Sequence, residues 1–399
     1  MSLTGRLSFG LQRNAALLFW AMFFLQAAFG TSDRFKTLYI ESLGATPALV
    51  GLLLGLAEAI RLLFLVASGP LSDRISPRIL ISTRWLSVVN ALFFLFAMHW
   101  GMLIPAFIAQ AGANLAWPSI SRVIDESGDE ASRGRRFLLI YTIGPGVALL
   151  IAPLVGAVLA EEFGLRSVFV ILLVMITFSS VFFSKVHPAP LQPRSAGAGY
   201  MDVLRHRPTG SLCLLSMCSM FTAYLALTLV PNYLHNEKDI SLGMIGAFGS
   251  LVAVGNITAG MMLTKGTWTS QSLNGALATM LFFPPAFVLM IDGRNVVTVA
   301  VAYVLIGIAS VSQQAIYGPL GEVTPSHLRT RAFATLEVSN GTGLMLSGFI
   351  AGALYAFAPS LPLWVALFGF LGVILATLWL RRSLQVWQAS GRTASPEPA

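Results

Sequence analysis

Six charged side chains sit where an apolar sequence has no evident use for charge: Asp33, Arg34 and Lys36 in one greasy run, Glu58 and Arg61 in the next, and Glu337 far downstream. A charge at the centre of a bilayer costs at least ~2.5 to 3.5 kcal/mol, so such residues are functional candidates by default. A buried carboxylate beside a guanidinium can exchange a proton, its ionisation set by burial and by whether the cation is near. Arg34 and Arg61 could equally bind an anion, or the group could be a permanently paired structural cluster. Asp33 and Arg34, and Glu58 and Arg61, lie roughly 11 to 16 residues on either side of a turn near Ala45, which brings them to similar depth in two neighbouring helices. Glu58 and Arg61 are three apart and share a helix face. The expectation is a cluster of Asp33, Arg34, Glu58 and Arg61, with Lys36 nearer the surface and snorkelling. Asp33, Glu58 and Glu337 are the proton-coupling candidates, because all five histidines fall at the ends of apolar runs or in loops.

The elements that must hold these groups follow from composition. Of 399 residues, 56% are hydrophobic and 11% charged, against roughly 25% charged in soluble domains. Such a chain has lipid as its solvent, and its backbone must satisfy itself within helices or a closed barrel. The apolar runs do not alternate as barrel strands do, and they recur at the ~20 residues a helix needs to cross a bilayer. Twelve spans are expected: 15–40, 46–68, 79–99, 102–124, 136–160, 165–185, 210–234, 242–263, 271–291, 296–319, 332–357 and 362–380.

An even count puts both termini on one side. Of 25 Lys and Arg residues, nineteen, Arg84 among them, are assigned to loops and tails on the amino-terminal side, and three, Arg166, Lys238 and Arg294, to the other. The remaining three are Arg34, Lys36 and Arg61. Basic residues are retained in the cytoplasm, so both termini are expected there, in an inner (plasma) membrane. The net charge of +8 is thus a topology signal and does not point to nucleic acid. Cys213 and Cys218 share one span, which leaves neither a disulfide framework nor a metal site. No phosphate loop, nucleophile elbow or metal-ligand cluster is legible, so no enzyme activity, cofactor or metal is expected.

The longest hydrophilic interval between spans divides them six and six. The expected organisation is a bundle over 1–185, a cytoplasmic linker over 186–209 in which YMDVLRHR can form a surface helix, a second bundle over 210–382 and a tail over 383–399. RGRRF at Arg133–Phe137 and RTRAF at Arg329–Phe333 recur half a chain apart, each after a span that ends with Pro and an acidic residue. That pattern favours two parallel repeats.

The loop between the second and third spans reads GPLSDRISPR. Gly69, Leu71, Asp73, Arg74 and Arg78 resemble the signature loop of the major facilitator superfamily, Gly-x-Leu-x-Asp-Arg-x-Gly-Arg-Arg/Lys, with Ser76 and Pro77 departing from it. The resemblance implies an all-α membrane fold of twelve helices in two pseudo-symmetric six-helix bundles. Asp73 could latch the cytoplasmic side by binding basic groups such as Arg329 and Arg331 and a helix N-terminus; the second-half equivalent, GMMLTK, has Thr264 in its place. In span five, Gly144, Ala148, Ala152 and Gly156 form a small-residue stripe that is similar to a worn antiporter signature of drug:proton exchangers. Spans one, four, seven and ten usually line the cavity in this superfamily, which selects Gln26, Asn114, Tyr224 and Gln313 from the polar residues within spans.

The sequence therefore points to a monomeric, proton-coupled secondary transporter that exports small organic molecules by rocker-switch alternating access, its partners a small-molecule substrate, protons and the lipid bilayer. Alternatives are an uptake symporter or facilitator for an anionic metabolite and, in another class, a non-transporting membrane sensor or lipid scramblase.

Overall fold

The structure, a computed structural model, describes residues 11–72, 74–127, 139–188, 200–265, 273–293, 295–325 and 328–393. All twelve expected spans are helical among them. The first six are α1 (Arg13–Ser32, continued by Lys36–Ser42), α2 (Pro47–Ser72), α3 (Pro77–Ser82 and Leu86–Phe96 about a 3-10 turn), α4 (Leu103–Ala113 and Trp117–Glu126 about a 3-10 turn), α5 (a π-helical turn at Leu139–Ile143, then Gly144–Phe163) and α6 (Leu165–Ser184). The second six are α7 (Arg207–Leu227 and Val230–Lys238), α8 (Leu242–Lys265), α9 (Asn274–Met280 and Phe283–Asp292), α10 (Val296–Ala315 and Tyr317–Val323), α11 (Arg329–Phe357) and α12 (Leu361–Thr393). The linker segment YMDVLR is a short helix, Tyr200–Arg205.

Ten of these helices are long and apolar enough to cross a membrane by composition. The other two are α4 and α11. Each is helical over a membrane-spanning length, but α4 is interrupted at Asn114–Ala116 and α11 carries Arg329, Arg331, Glu337, Ser339, Asn340 and Thr342. Polarity inside a span is what a helix facing other helices or water can carry and one facing lipid cannot.

Several interruptions have a covalent cause. A proline cannot donate to the carbonyl four residues back and its ring presses on it. The breaks in α4, α7, α9 and α10 come just ahead of Pro118, Pro231, Pro284 and Pro319. The break in α1 has no proline; it falls on Asp33, Arg34 and Phe35.

The chain forms two compact units. Met1–Ser195 with Leu229–Ala253 make the first, and Ala196–Thr228 with Val254–Ala399 the second. In the first unit α1 packs chiefly on α5 and α6. Ser179 of α6 donates to the Ala21 carbonyl at 2.8 Å, and Tyr39, Phe94 and Phe169 stack as a buried aromatic group. The α1–α5 seam is closed by the small-residue stripe: a Cβ on Gly156 would stand 2.2 Å from the Thr31 carbonyl oxygen, inside any permitted contact. In the second unit α7 packs in the same way on α11 and α12, with Phe283, Phe287 and Phe370 filling the neighbouring core. The first helix of each six thus leans on the fifth and sixth of its own set.

Candidate functional site

In the first unit the charged residues sort into pairs within single helices. Glu58 Oε2 meets Arg61 Nε at 2.6 Å across one turn of α2, with both side chains about a quarter to a third exposed. Asp33, at the break in α1, takes Lys36 Nζ at 3.0 Å. Lys36, expected to snorkel alone, is therefore the partner of Asp33. Arg34 runs its aliphatic stem beside Gly249 of α8.

Of the cavity candidates in this unit, Gln26 is half-buried on α1. Asn114 opens the 3-10 turn of α4, and its Oδ1 accepts from the Trp117 indole at 3.1 Å. Tyr141, at the start of α5, shares a 2.9 Å hydrogen bond with Ser121 of α4. In the signature loop, the amides of Arg74 and Ile75 return to the Leu71 carbonyl at 3.1 and 2.8 Å, ending α2. Pro77 opens α3 with Arg74 and Arg78 exposed. Asp73 and the RGRRF segment lie outside the described residues.

Arg84 was missed as a site residue. Counted with the cytoplasmic loops, it instead sits inside α3 and is 1% exposed. Its guanidinium lies between the rings of Trp117 and Phe183, at 5.3 and 5.4 Å, and donates to the Ala113 carbonyl at 3.3 Å, at the break in α4. Its Nε and Nη2 have no hydrogen-bond partner among the described residues. The signal was available: Arg84 falls within the 79–99 run, where its cationic head and three-carbon stem needed a destination.

The second unit holds a polar group of a different kind. The Tyr317 hydroxyl of α10 donates to Glu337 Oε1 of α11. Phe333, from the RTRAF segment, stacks on the Tyr317 ring at 5.9 Å and fixes its plane. No cation lies within ion-pair distance of Glu337 among the described residues. One turn further along α11, Asn340 accepts from Ser216 of α7 at 2.6 Å, and Gln313 of α10 donates to Ser219 of α7 at 2.7 Å. Gln313 and Asn340 thus tie α7, α10 and α11 together. Tyr224 is further along α7 and partly exposed, while Arg329 and Arg331 stand at the start of α11.

Residues 9–316 match the sequence profile of the Major Facilitator Superfamily. The chain belongs to that superfamily. It is a multi-pass membrane transporter of the superfamily's type. Among curated proteins it is similar to multidrug resistance protein MdtG of Enterobacter lignolyticus (strain SCF1), 32% identical over 166 residues, a match covering 40% of this chain and 39% of that protein. Solved structures with a similar fold include a POT family transporter in complex with 5-aminolevulinic acid, at TM-score 0.76 and 13% identity over 93% of this chain and 96% of that one. The human organic anion transporter MFSD10 (TETRAN) follows at TM-score 0.68 and 14% identity, over 92% of this chain and 99% of that one. The nucleoside transporter NupG gives TM-score 0.73 and 12% identity, over 93% and 99%.

Proposed function

We propose that this transporter exports small organic molecules against a counterflow of protons, and that Glu337 carries the proton. The observation behind this reading is the contrast among the membrane carboxylates. Asp33 and Glu58 each have a cation three residues along their own chain. Glu337 has a phenol. An adjacent cation holds a carboxylate ionised, whereas a neutral donor leaves the charge to be carried by the site alone. Glu337 lies eight residues inside α11, about 12 Å along the helix, so its surroundings change from wet to dry as a cavity opens and closes. Protonation turns an acceptor of the Tyr317 hydroxyl into a donor, and that reversal is what a substrate bound near Gln313 and Asn340 would sense.

The likeness to a multidrug resistance protein supports export. The anion-uptake alternative would use Arg34 and Arg61, and the Nε of Arg61 is engaged by Glu58.

The test is transport in proteoliposomes with an imposed pH gradient and a panel of organic substrates. Glu337→Gln should lose gradient-driven transport by roughly 100-fold or more and keep substrate exchange without a gradient. Gradient-driven transport at the wild-type rate and pH dependence in Glu337→Gln would reject the reading.

A further inference from the structure

Two 3-10 turns meet in the first unit, and one side chain joins them. α3 is broken at Thr83–Trp85 and α4 at Asn114–Ala116, and the two turns pack on each other. The break in α4 follows from Pro118. In an unbroken helix the Asn114 carbonyl would wait for the N–H of residue 118, which proline lacks. The Trp117 N–H goes to Asn114 instead. The Ala113 carbonyl, four residues before Trp117, thereby loses its helical donor, and Arg84 Nη1 takes it at 3.3 Å.

Arg84 is itself held from α6, which runs unbroken from Leu165 to Ser184. Ser180 Oγ donates to the Arg84 carbonyl at 3.2 Å, and the Phe183 ring stands 5.4 Å from the guanidinium. The other ring beside the guanidinium, at 5.3 Å, is that of Trp117, whose indole donates to Asn114 Oδ1 at 3.1 Å. An indole N–H can only donate, so the Asn114 amide must show it the oxygen. Asn114 Nδ2 is left without a hydrogen-bond partner among the described residues, on a side chain that is half-buried and not closed in. A chain of contacts thus runs from α6 through Arg84 and Trp117 to one amide with only donor hydrogens to offer.

Arg84 does not hold this place to satisfy itself. It is 1% exposed, yet its Nε and Nη2 have no hydrogen-bond partner among the described residues. Buried donors left unmade are unfavourable, and a methionine would fill much of the same space without them. What the guanidinium adds is the bond to Ala113 and the contact with the Trp117 ring, and both act on the break in α4.

We infer that Arg84 is a positioning residue. It carries the position of α6 to the break in α4 and so fixes the Asn114 amide with Nδ2 free to donate to an acceptor group, a carbonyl or carboxylate, on the transported molecule. The use of Asn114 by a substrate rests on the export reading; the positioning does not.

The experiment replaces all eight tryptophans with 5-fluorotryptophan, in lipid nanodiscs, and identifies the residue 117 fluorine resonance by its loss in Trp117→Phe. Wild type should give one narrow line there. Arg84→Met should shift that line and broaden or split it. Arg84→Lys, which keeps the charge without the planar fork, should do the same to a smaller degree, and it carries the comparison where Arg84→Met does not fold. Exchange of the panel compound that wild type moves fastest is then measured without a pH gradient. Arg84→Met and Asn114→Ala should each raise KM by about tenfold, the loss of one hydrogen bond, with kcat within about twofold. The double variant should be no worse than either alone. A merely structural loss would lower the amount of working protein, which reduces the maximal rate and leaves KM unchanged. A residue 117 line that ignores both Arg84 substitutions, or KM effects that multiply in the double variant, would overturn the positioning role. A Glu337→Gln protein that keeps gradient-driven transport while the line and the KM effects persist removes the proton carrier and leaves Arg84 in its role.

Discussion

Glu58 and Glu337 are both acids inside helices, and their partners differ in kind. Glu58 is closed on Arg61 one turn away in α2, so an opposite charge stands beside it on its own helix. Glu337 is reached by Tyr317 from another helix and by no cation among the described residues. An acid in a membrane is informative through its partner more than through its presence.

The sharpest way to break the contrast is to give Glu337 what Glu58 has. Ala334→Arg places a guanidinium three residues before it on α11; gradient-driven transport should fall by roughly 100-fold while Ala334→Gln stays near wild type. Equal rates in the two variants would mean that the missing cation is irrelevant. Next in size is Tyr317→Phe, which removes one hydrogen bond to a charged group and should slow gradient-driven transport by about tenfold without unfolding the protein. Arg61→Gln does the reverse to Glu58. It should lower thermal stability in detergent modestly, by about 0.5 to 1 kcal/mol for a partly exposed pair, with Glu58→Gln in the same chain recovering the loss in a double-mutant cycle. Asp33→Asn should change least, within about twofold in transport rate, because more than half of the Asp33 side chain is exposed (53%) and its pair with Lys36 is weak. A large loss in Asp33→Asn would return the coupling role to the first unit.

Much of the fold was legible because its cause is one-dimensional. Apolar runs gave the helices, and Pro118, Pro231, Pro284 and Pro319 marked where they break. The stripe from Gly144 to Gly156 was visible as spacing, and its use, the approach of α5 to the Thr31 carbonyl, is what small residues at that period permit. The site was less legible because partners are chosen in three dimensions. Depth counting brought Asp33 and Glu58 to one level, and their spacing put Glu58 and Arg61 on one helix face, but neither told that Asp33 would take Lys36. Glu337 was visible, while its phenol lies on another helix. Glu41 and Glu161 sat at the ends of spans, where an acid looks merely solvated, and nothing local announces that Asn232 donates to the one and the start of α8 to the other.

Arg84 carries a consequence for how the chain is made. Its comfort comes from the Ala113 carbonyl, the Trp117 ring and the Phe183 ring, all of which leave the ribosome after it. Phe183 follows by roughly five to twenty seconds at ordinary rates of synthesis. During that interval α3 holds a guanidinium with nowhere dry to put it, so its release into lipid should be delayed or shallow until α4 and α6 are present. Isolated residues 77–96 in a membrane-insertion assay should insert less well than the same segment with Arg84→Leu, and adding the sequence through α6 should close the gap. A gap that persists with α6 present would mean that the aromatic sandwich does not shelter the charge during biogenesis.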